Sequence, residues 1–182
     1  MFANGADSLA FGSIVASGPN TANPHAVPSD RVIEKGDFVL MDYGAGYCDY
    51  RSDMTRTVVM GEPTQEQLDL YALVRRTHEE CVAAIHPGVE GNDIFKLSKK
   101  IIGDAARRLL QPWSGHGVGI DIHELPNFNR SKNTIEIGSV VTMEPGVYLP
   151  GVGGVRLRTR RGHRERLRAF TKTPHDLHII DC

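Results

Sequence analysis

Three carboxylates and one histidine stand where segments of the chain change character. Asp42 closes the apolar run Phe38-Val39-Leu40-Met41, and Asp53 follows eleven residues on. His116 lies within Gly115-His116-Gly117-Val118-Gly119, and Glu144 ends Ser139-Val140-Val141-Thr142-Met143. Hard oxygen donors with a single imidazole suit divalent ions such as Mn²⁺, Co²⁺ or Zn²⁺, and two neighbouring cations need several carboxylates to offset their repulsion. The glycines around His116 allow close backbone approach, which helps hold an imidazole in one direction. Taken one at a time the four have plainer readings: Asp42 and Glu144 as turn formers, Asp53 as a solvated strand residue, His116 as a loop histidine. Thiolate chemistry is not indicated. Cys48, Cys81 and Cys182 are odd in number, widely spread and without a C-x-x-C pair, so a reducing cytoplasm is the expected compartment.

The elements that must position these groups can be read from periodicity. Ser13-Ile14-Val15-Ala16-Ser17, closed by Gly18-Pro19-Asn20, predicts a short strand running into a polar loop that carries His25. Phe38 to Met41 predicts a strand buried on both faces, paired as a hairpin with a second strand from Tyr47 to Met60. Thr64-Gln65-Glu66-Gln67 has capping-box spacing, and Leu70, Leu73, Val74, Thr77, Cys81, Ala84 and Ile85 then recur at helical spacing until Pro87-Gly88. A second amphipathic helix is predicted from Asn92 to Leu110, with Ile94, Phe95, Ser98, Ile101, Ile102, Ala105 and Leu109 on its inner side. Strands then return, so the order is α+β and not a regular βαβ alternation. A length of 182 residues suits one domain, residues 1–182, and a net charge of −1 gives no global reason to expect nucleic acid or membrane. The N-terminus has no basic stretch followed by an apolar core, and no apolar run approaches ~20 residues.

Several motifs in a fixed order are more specific than any one. Ile14-Val15-Ala16-Ser17-Gly18-Pro19-Asn20, Pro24-His25-Ala26, Asp49-Tyr50-Arg51-Ser52-Asp53-Met54-Thr55-Arg56-Thr57, the His116 loop, His123-Glu124 and Thr142-Met143-Glu144-Pro145-Gly146 together resemble the pita-bread metallopeptidases. The match is to their Xaa-Pro branch, the prolidases and Xaa-Pro aminopeptidases. It runs from about Ser13 to Arg156 and resumes weakly at Thr171-Lys172-Thr173-Pro174. The resemblance implies the pita-bread (creatinase/aminopeptidase) fold, incomplete at the N-terminus and altered near the C-terminus. It implies two divalent metal ions, manganese first with cobalt or zinc as alternatives, and an exopeptidase that cuts Xaa-Pro bonds with a metal-activated water. Asp42 matches a ligand of one metal, Asp53 the bridging aspartate, and His116 and Glu144 the ligands that complete the other. His25 and His123 match histidines that contact substrate or the tetrahedral intermediate, and Arg156 matches the arginine counted with them. The implied partner is a proline-containing peptide, with no nucleic acid and no membrane, and a homo-oligomer is compatible with the family.

The pattern breaks after Arg156. The family carries a bridging Glu two residues beyond that arginine, whereas here Gly154-Val155-Arg156-Leu157 is followed by Arg158 and Thr159. A cation replaces an anion, and at ~4 Å from another unit cation that repulsion is worth about 4 kcal/mol at an effective dielectric near 20. Residues 156–168 hold seven arginines; a solvated arginine-rich loop is the expected state, ahead of a nucleic-acid patch. A shifted reading frame is a further explanation, because CTG-AGG-ACN for Leu157-Arg158-Thr159 contains GAG-GAC, Glu-Asp, in the next frame. A second abbreviation falls at Pro112, where many Xaa-Pro members have a histidine, with Trp113 and Ser114 in a compressed loop. The alternative to an enzyme is therefore a non-catalytic pita-bread module that keeps a peptide-sized cleft.

Overall fold

The structure, a computed structural model, describes residues 1–103, 114–130, 132–163 and 167–181. The first strands are β1 (Ser8–Leu9), β2 (Ile14–Ser17), β3 (Phe38–Tyr43), β4 (Ala45–Tyr47), β5 (Tyr50–Arg51) and β6 (Met54–Met60), with a 3-10 turn at Gly18–Ala22 after β2. Helices α1 (Gln65–Ala84) and α2 (Gly91–Ile102) follow. Then come β7 (His116–Gly117), β8 (Glu124–Asn127), β9 (Val140–Met143), β10 (Gly146–Leu149), β11 (Gly153–Arg156), β12 (Thr159–His163), β13 (Leu167–Ala169) and β14 (Ile179–Ile180). The α+β order is as expected.

One sheet has the order β14-β6-β3-β2 and a second the order β13-β12-β9-β7-β8, with a small β1-β4-β5 sheet and the β10-β11 hairpin beside them. The expected hairpin is present as the antiparallel β3/β6 pair, but the strand predicted over Tyr47 to Met60 is divided. Cys48 and Asp49 both have positive φ, 48° and 66°, which is the backbone a two-residue turn between β4 and β5 demands. Asp42 is no turn former: it lies inside β3, opposite Thr55 on one side and Ile14 on the other. The arginine-rich stretch also departs from expectation. Instead of a solvated loop, β12 pairs antiparallel with β9 and with β13, and Arg158 bridges to Thr55 of β6, joining the two larger sheets. Backbone groups pair whatever the side chain, and here the neighbouring strands supply the partners that alternation in the sequence did not signal.

Helix α1 begins with both capping-box bonds, Gln67 N–H to Thr64 Oγ1 at 3.2 Å and Thr64 N–H to Gln67 Oε1 at 2.9 Å. Its buried face spans two apolar clusters. Tyr71 and Val74 pack with Phe38, Val59, Val147, Val155 and Leu157, whereas Cys81 and Ile85 pack with Ile94, Phe128, Ile135, Val141 and Met143. Each fully buried aliphatic or aromatic side chain in these clusters contributes on the order of 1.5–3 kcal/mol. The second helix buries Ile94, Phe95 and Ser98 as expected and ends at Ile102, and the expected continuation through Ala105 and Leu109 lies outside the described residues.

Candidate active site

Both sheets deliver carboxylates to one buried point. β3 carries Asp42, the connection from β5 to β6 carries Asp53, β7 carries His116, and Glu144 follows β9; each of the four is at most 2% exposed. The burial overturns the plainer readings of Asp53 as solvated and of His116 as a loop residue. Glycine makes the approach of β7 possible: a Cβ on Gly115 would lie 2.3 Å from the Thr142 carbonyl oxygen, and one on Gly117 2.3 Å from that of Leu125. His116 is then fixed by its neighbours, with its backbone N–H donating to Thr142 Oγ1 at 3.0 Å and its Nδ1 2.9 Å from the Gly117 carbonyl. That carbonyl accepts a hydrogen bond from Nδ1–H, which leaves Nε2 facing the acids. Nε2 stands 3.0 Å from Glu144 Oε1 and 3.4 Å from Asp53 Oδ2. Among the described residues neither Nε2 nor Asp53 Oδ2 makes a hydrogen bond of acceptable angle, so those short distances are charge contacts.

One oxygen of each of the three carboxylates is taken by Arg158, which is 8% exposed. Its Nε donates to Glu144 Oε2 at 2.8 Å and its Nη2 to the same oxygen, while Nη1 donates to Asp42 Oδ1 at 3.1 Å and to Asp53 Oδ1. Arg156 completes the arrangement, its Nη2 donating to Asp42 Oδ2 at 2.5 Å. The rest of that guanidinium reaches Thr55 Oγ1 at 3.2 Å, Tyr148 Oη at 2.8 Å and the Pro24 carbonyl at 3.1 Å. His25 and His123 are exposed and line the same cavity of about 240 Å³ as Asp42, Asp53, Glu144, Arg156 and Arg158, together with Phe11, Ile14 and Ile122. The His123 ring meets the His116 ring edge to face, centroids 4.5 Å apart.

Charge explains the protonation states. Burial opposes a charged imidazole at His116, yet the carboxylates of Asp53 and Glu144 raise its pKa to about 9. Burial also opposes ionisation of Glu144, but Arg158 and His116 outweigh it and hold the carboxyl well below its ordinary range. For Arg158 burial works against the charge and the three acids override it, so its pKa rises. Asp42 goes the other way: burial raises its pKa despite Arg158 and Arg156, and the nearby Asp53 and Glu144 charges add to the rise. Burial and the charge on His116 lower the pKa of His123.

A pair of divalent ions does not fit this arrangement. Metal ions would need the same oxygens of Asp42, Asp53 and Glu144 at roughly 2.0–2.2 Å, where guanidinium nitrogens now sit. Among the described residues no group of three or more His, Cys, Asp and Glu side chains is arranged to hold a metal ion. Sequence reasoning marked the acids, the histidines, Arg156 and Arg158; Thr55 and Thr142 entered only as members of the matched motifs with no role of their own, and Tyr148, which nothing in its local sequence separates from an ordinary strand residue, was missed. The abbreviation at Pro112 and Trp113 lies outside the described residues, and Ser114 is buried, its carbonyl accepting from the Glu144 N–H at 2.8 Å.

Two strand layers that pool buried carboxylates and one imidazole beside a cavity bearing two more histidines define a pita-bread hydrolase scaffold. The chain belongs to metallopeptidase family M24, which it matches over residues 1–159. It is 42% identical to an Xaa-Pro dipeptidase of Pyrococcus furiosus over 185 residues, covering 96% of this chain and 51% of that protein. An Xaa-Pro dipeptidase of Pyrococcus horikoshii is 38% identical over 181 residues, with 96% of this chain and 50% of that protein covered. Among solved structures, a prolidase of Thermococcus sibiricus superposes with a TM-score of 0.93 at 39% identity, over 97% of this chain and 49% of that one. An X-Pro aminopeptidase of Thermotoga maritima gives 0.93 at 31% identity, over 98% and 52%. The chain thus spans about half the length of these relatives.

Proposed function

We infer that this chain is the catalytic domain of an exopeptidase acting on Xaa-Pro bonds, metal-dependent in its hydrolysis and restrained by Arg158. The observation that carries the reading is the convergence of Asp42, Asp53 and Glu144, with His116 against the last two, on a cavity that His25 and His123 also line. The substrate is a proline-containing peptide, and the similarity to Xaa-Pro dipeptidases supports that choice. With Arg158 displaced, Asp42, Asp53, His116 and Glu144 would be the residues to hold a divalent pair, manganese first, which would supply activated water and carbonyl polarisation. The chain's own groups do the rest. His25 and His123 are imidazoles at the open side, placed to hold or move a proton at the peptide. Arg156 positions Asp42 and, through the Pro24 carbonyl, the loop bearing His25. Unpaired Cys48 and Cys81 suit a reducing cytoplasm, and among the described residues no helix is long and apolar enough to cross a membrane.

A second reading, a peptide-binding module without turnover, is favoured by one observation: Arg158 bonds all three acids at once. Cleavage of Xaa-Pro dipeptides and oligopeptides with added Mn²⁺, by the unaltered chain and by Arg158→Glu, separates the two. We expect slow, Mn²⁺-dependent cleavage by the former and at least about 100-fold faster cleavage by the latter, with His123→Ala lowering kcat more than it raises KM. No cleavage by either, with peptide still bound, would replace the enzyme by the module.

A further inference from the structure

Arg158 is held at both ends, which an incidental surface arginine would not be. Its backbone N–H donates to the Thr55 carbonyl at 3.2 Å, and its own carbonyl accepts from Arg56 Nη1 at 2.9 Å. Arg56 is in turn buried and fixed by the Thr173 carbonyl at 2.7 Å and that of Pro174 at 3.0 Å. The side chain therefore leaves the cluster only by rotating away from three carboxylates, since its main chain is bridged to β6. Guanidinium is always charged, planar and many-handed, so one such group satisfies several acids at once through charge-assisted hydrogen bonds. Three acids buried together without any cation would repel one another, and this chain supplies the cation itself.

We propose that Arg158 is the resident cation of this centre: it occupies the place a divalent pair would need, so the chain folds and keeps its cleft formed without metal, and a metal ion enters only by displacing the guanidinium. For what metal entry then does, the proposal rests on the Xaa-Pro reading above; for the cation itself it rests on the contacts of Arg158 alone. A centre of this kind is insensitive to chelators in its folding, and scarce metal leaves it closed. The neighbouring Arg156 does not substitute, because its guanidinium is spent on Thr55, Tyr148, Pro24 and a single oxygen of Asp42.

The test uses the full chain, melted in EDTA and in micromolar Mn²⁺, and titrated with Mn²⁺ by calorimetry. The unaltered chain should melt at the same temperature in both and show no tight Mn²⁺ site. Arg158→Ala should melt about 10 °C lower in EDTA and recover most of that loss in Mn²⁺. Arg158→Glu should bind Mn²⁺ at least about 100-fold more tightly than the parent. Arg158→Lys keeps the charge on a smaller group, so it should fold in EDTA and still lack a tight site, which preserves the test if Arg158→Ala does not fold. A tight Mn²⁺ site in the unaltered chain, a Tm that rises with Mn²⁺, or an Arg158→Ala variant that melts like the parent in EDTA overturns the proposal. Failure of the Xaa-Pro reading looks different: Arg158→Glu binds Mn²⁺ yet cleaves no Xaa-Pro peptide.

Discussion

Arg156 and Arg158 sit two residues apart and share Asp42, one oxygen each, but their remaining donors meet different acceptors. Arg156 faces Asp42 and the His25 loop, whereas Arg158 reaches across to Asp53 and Glu144. Tyr148 is the neutral acceptor in this network. Burial raises its pKa against the pull of Arg156, so the hydroxyl stays protonated and its lone pairs serve the guanidinium. Tyr148→Phe removes that acceptor, but the same Nη1 still donates to the Pro24 carbonyl. We therefore expect a loss of about 1 kcal/mol, at the low end for an acceptor lost to a buried cation, read as a shift in urea midpoint with unchanged slope. A loss above about 3 kcal/mol would mean that Pro24 does not share the load.

Two element ends can be tested separately. At the start of α1 the reciprocal bonds of Thr64 and Gln67 satisfy N–H groups that the helix leaves open. Thr64→Ala should cost about 1 kcal/mol and lower Tm by roughly 2–4 °C, measurable by thermal melting followed at the helical circular-dichroism signal. At the entry to β3, Arg31 donates to Asp37 through Nη1 at 2.5 Å and Nη2 at 3.0 Å and also reaches Ser17 at the end of β2 at 2.8 Å. Burial pushes the Asp37 pKa up, but Arg31 and the Glu34 N–H prevail and leave it below its ordinary 3.8. A lowered carboxyl pKa gives stability that is full above the unfolded value and lost as pH falls through the folded one. Asp37→Asn should thus be less stable than the parent near pH 7, with the gap narrowing below about pH 4. A gap that stays constant down to about pH 2 would assign the effect to lost packing instead.

The molecule as a whole is held by two apolar clusters that share α1, and the centre lies where the two larger sheets join. Phe128 is fully buried in the second cluster, and its ring is also what a side chain on Gly115 would strike, at 2.6 Å. It therefore couples packing to the placement of His116. Phe128→Ala should destabilise by about 3–5 kcal/mol, lowering Tm by on the order of 10 °C. The loss should equal that of the double variant Phe128→Ala/Arg158→Lys minus Arg158→Lys alone if packing and charge are independent. A difference above about 0.5 kcal/mol between those losses would show that the cluster reaches into the centre.

Local signals carried much of this. Capping-box spacing and the heptad-like recurrence after it located α1, and the apolar runs ending on Asp42 and Glu144 located β3 and β9, because these depend on side chains within a few residues of one another. The site residues were legible as types and spacings in the same way. What the sequence could not convey was set by contacts between distant segments. Tyr47 to Met60 breaks into three strands because Ala45–Tyr47 pairs with β1 and turns at Cys48-Asp49, and residues 159–163 become a strand because β9 and β13 offer partners on both sides. Above all, a guanidinium two residues past Arg156 could have faced solvent or the acids. Only the bridge of Arg158 to Thr55 decided it, since fixing that backbone between two sheets points the side chain at the carboxylates they bring together.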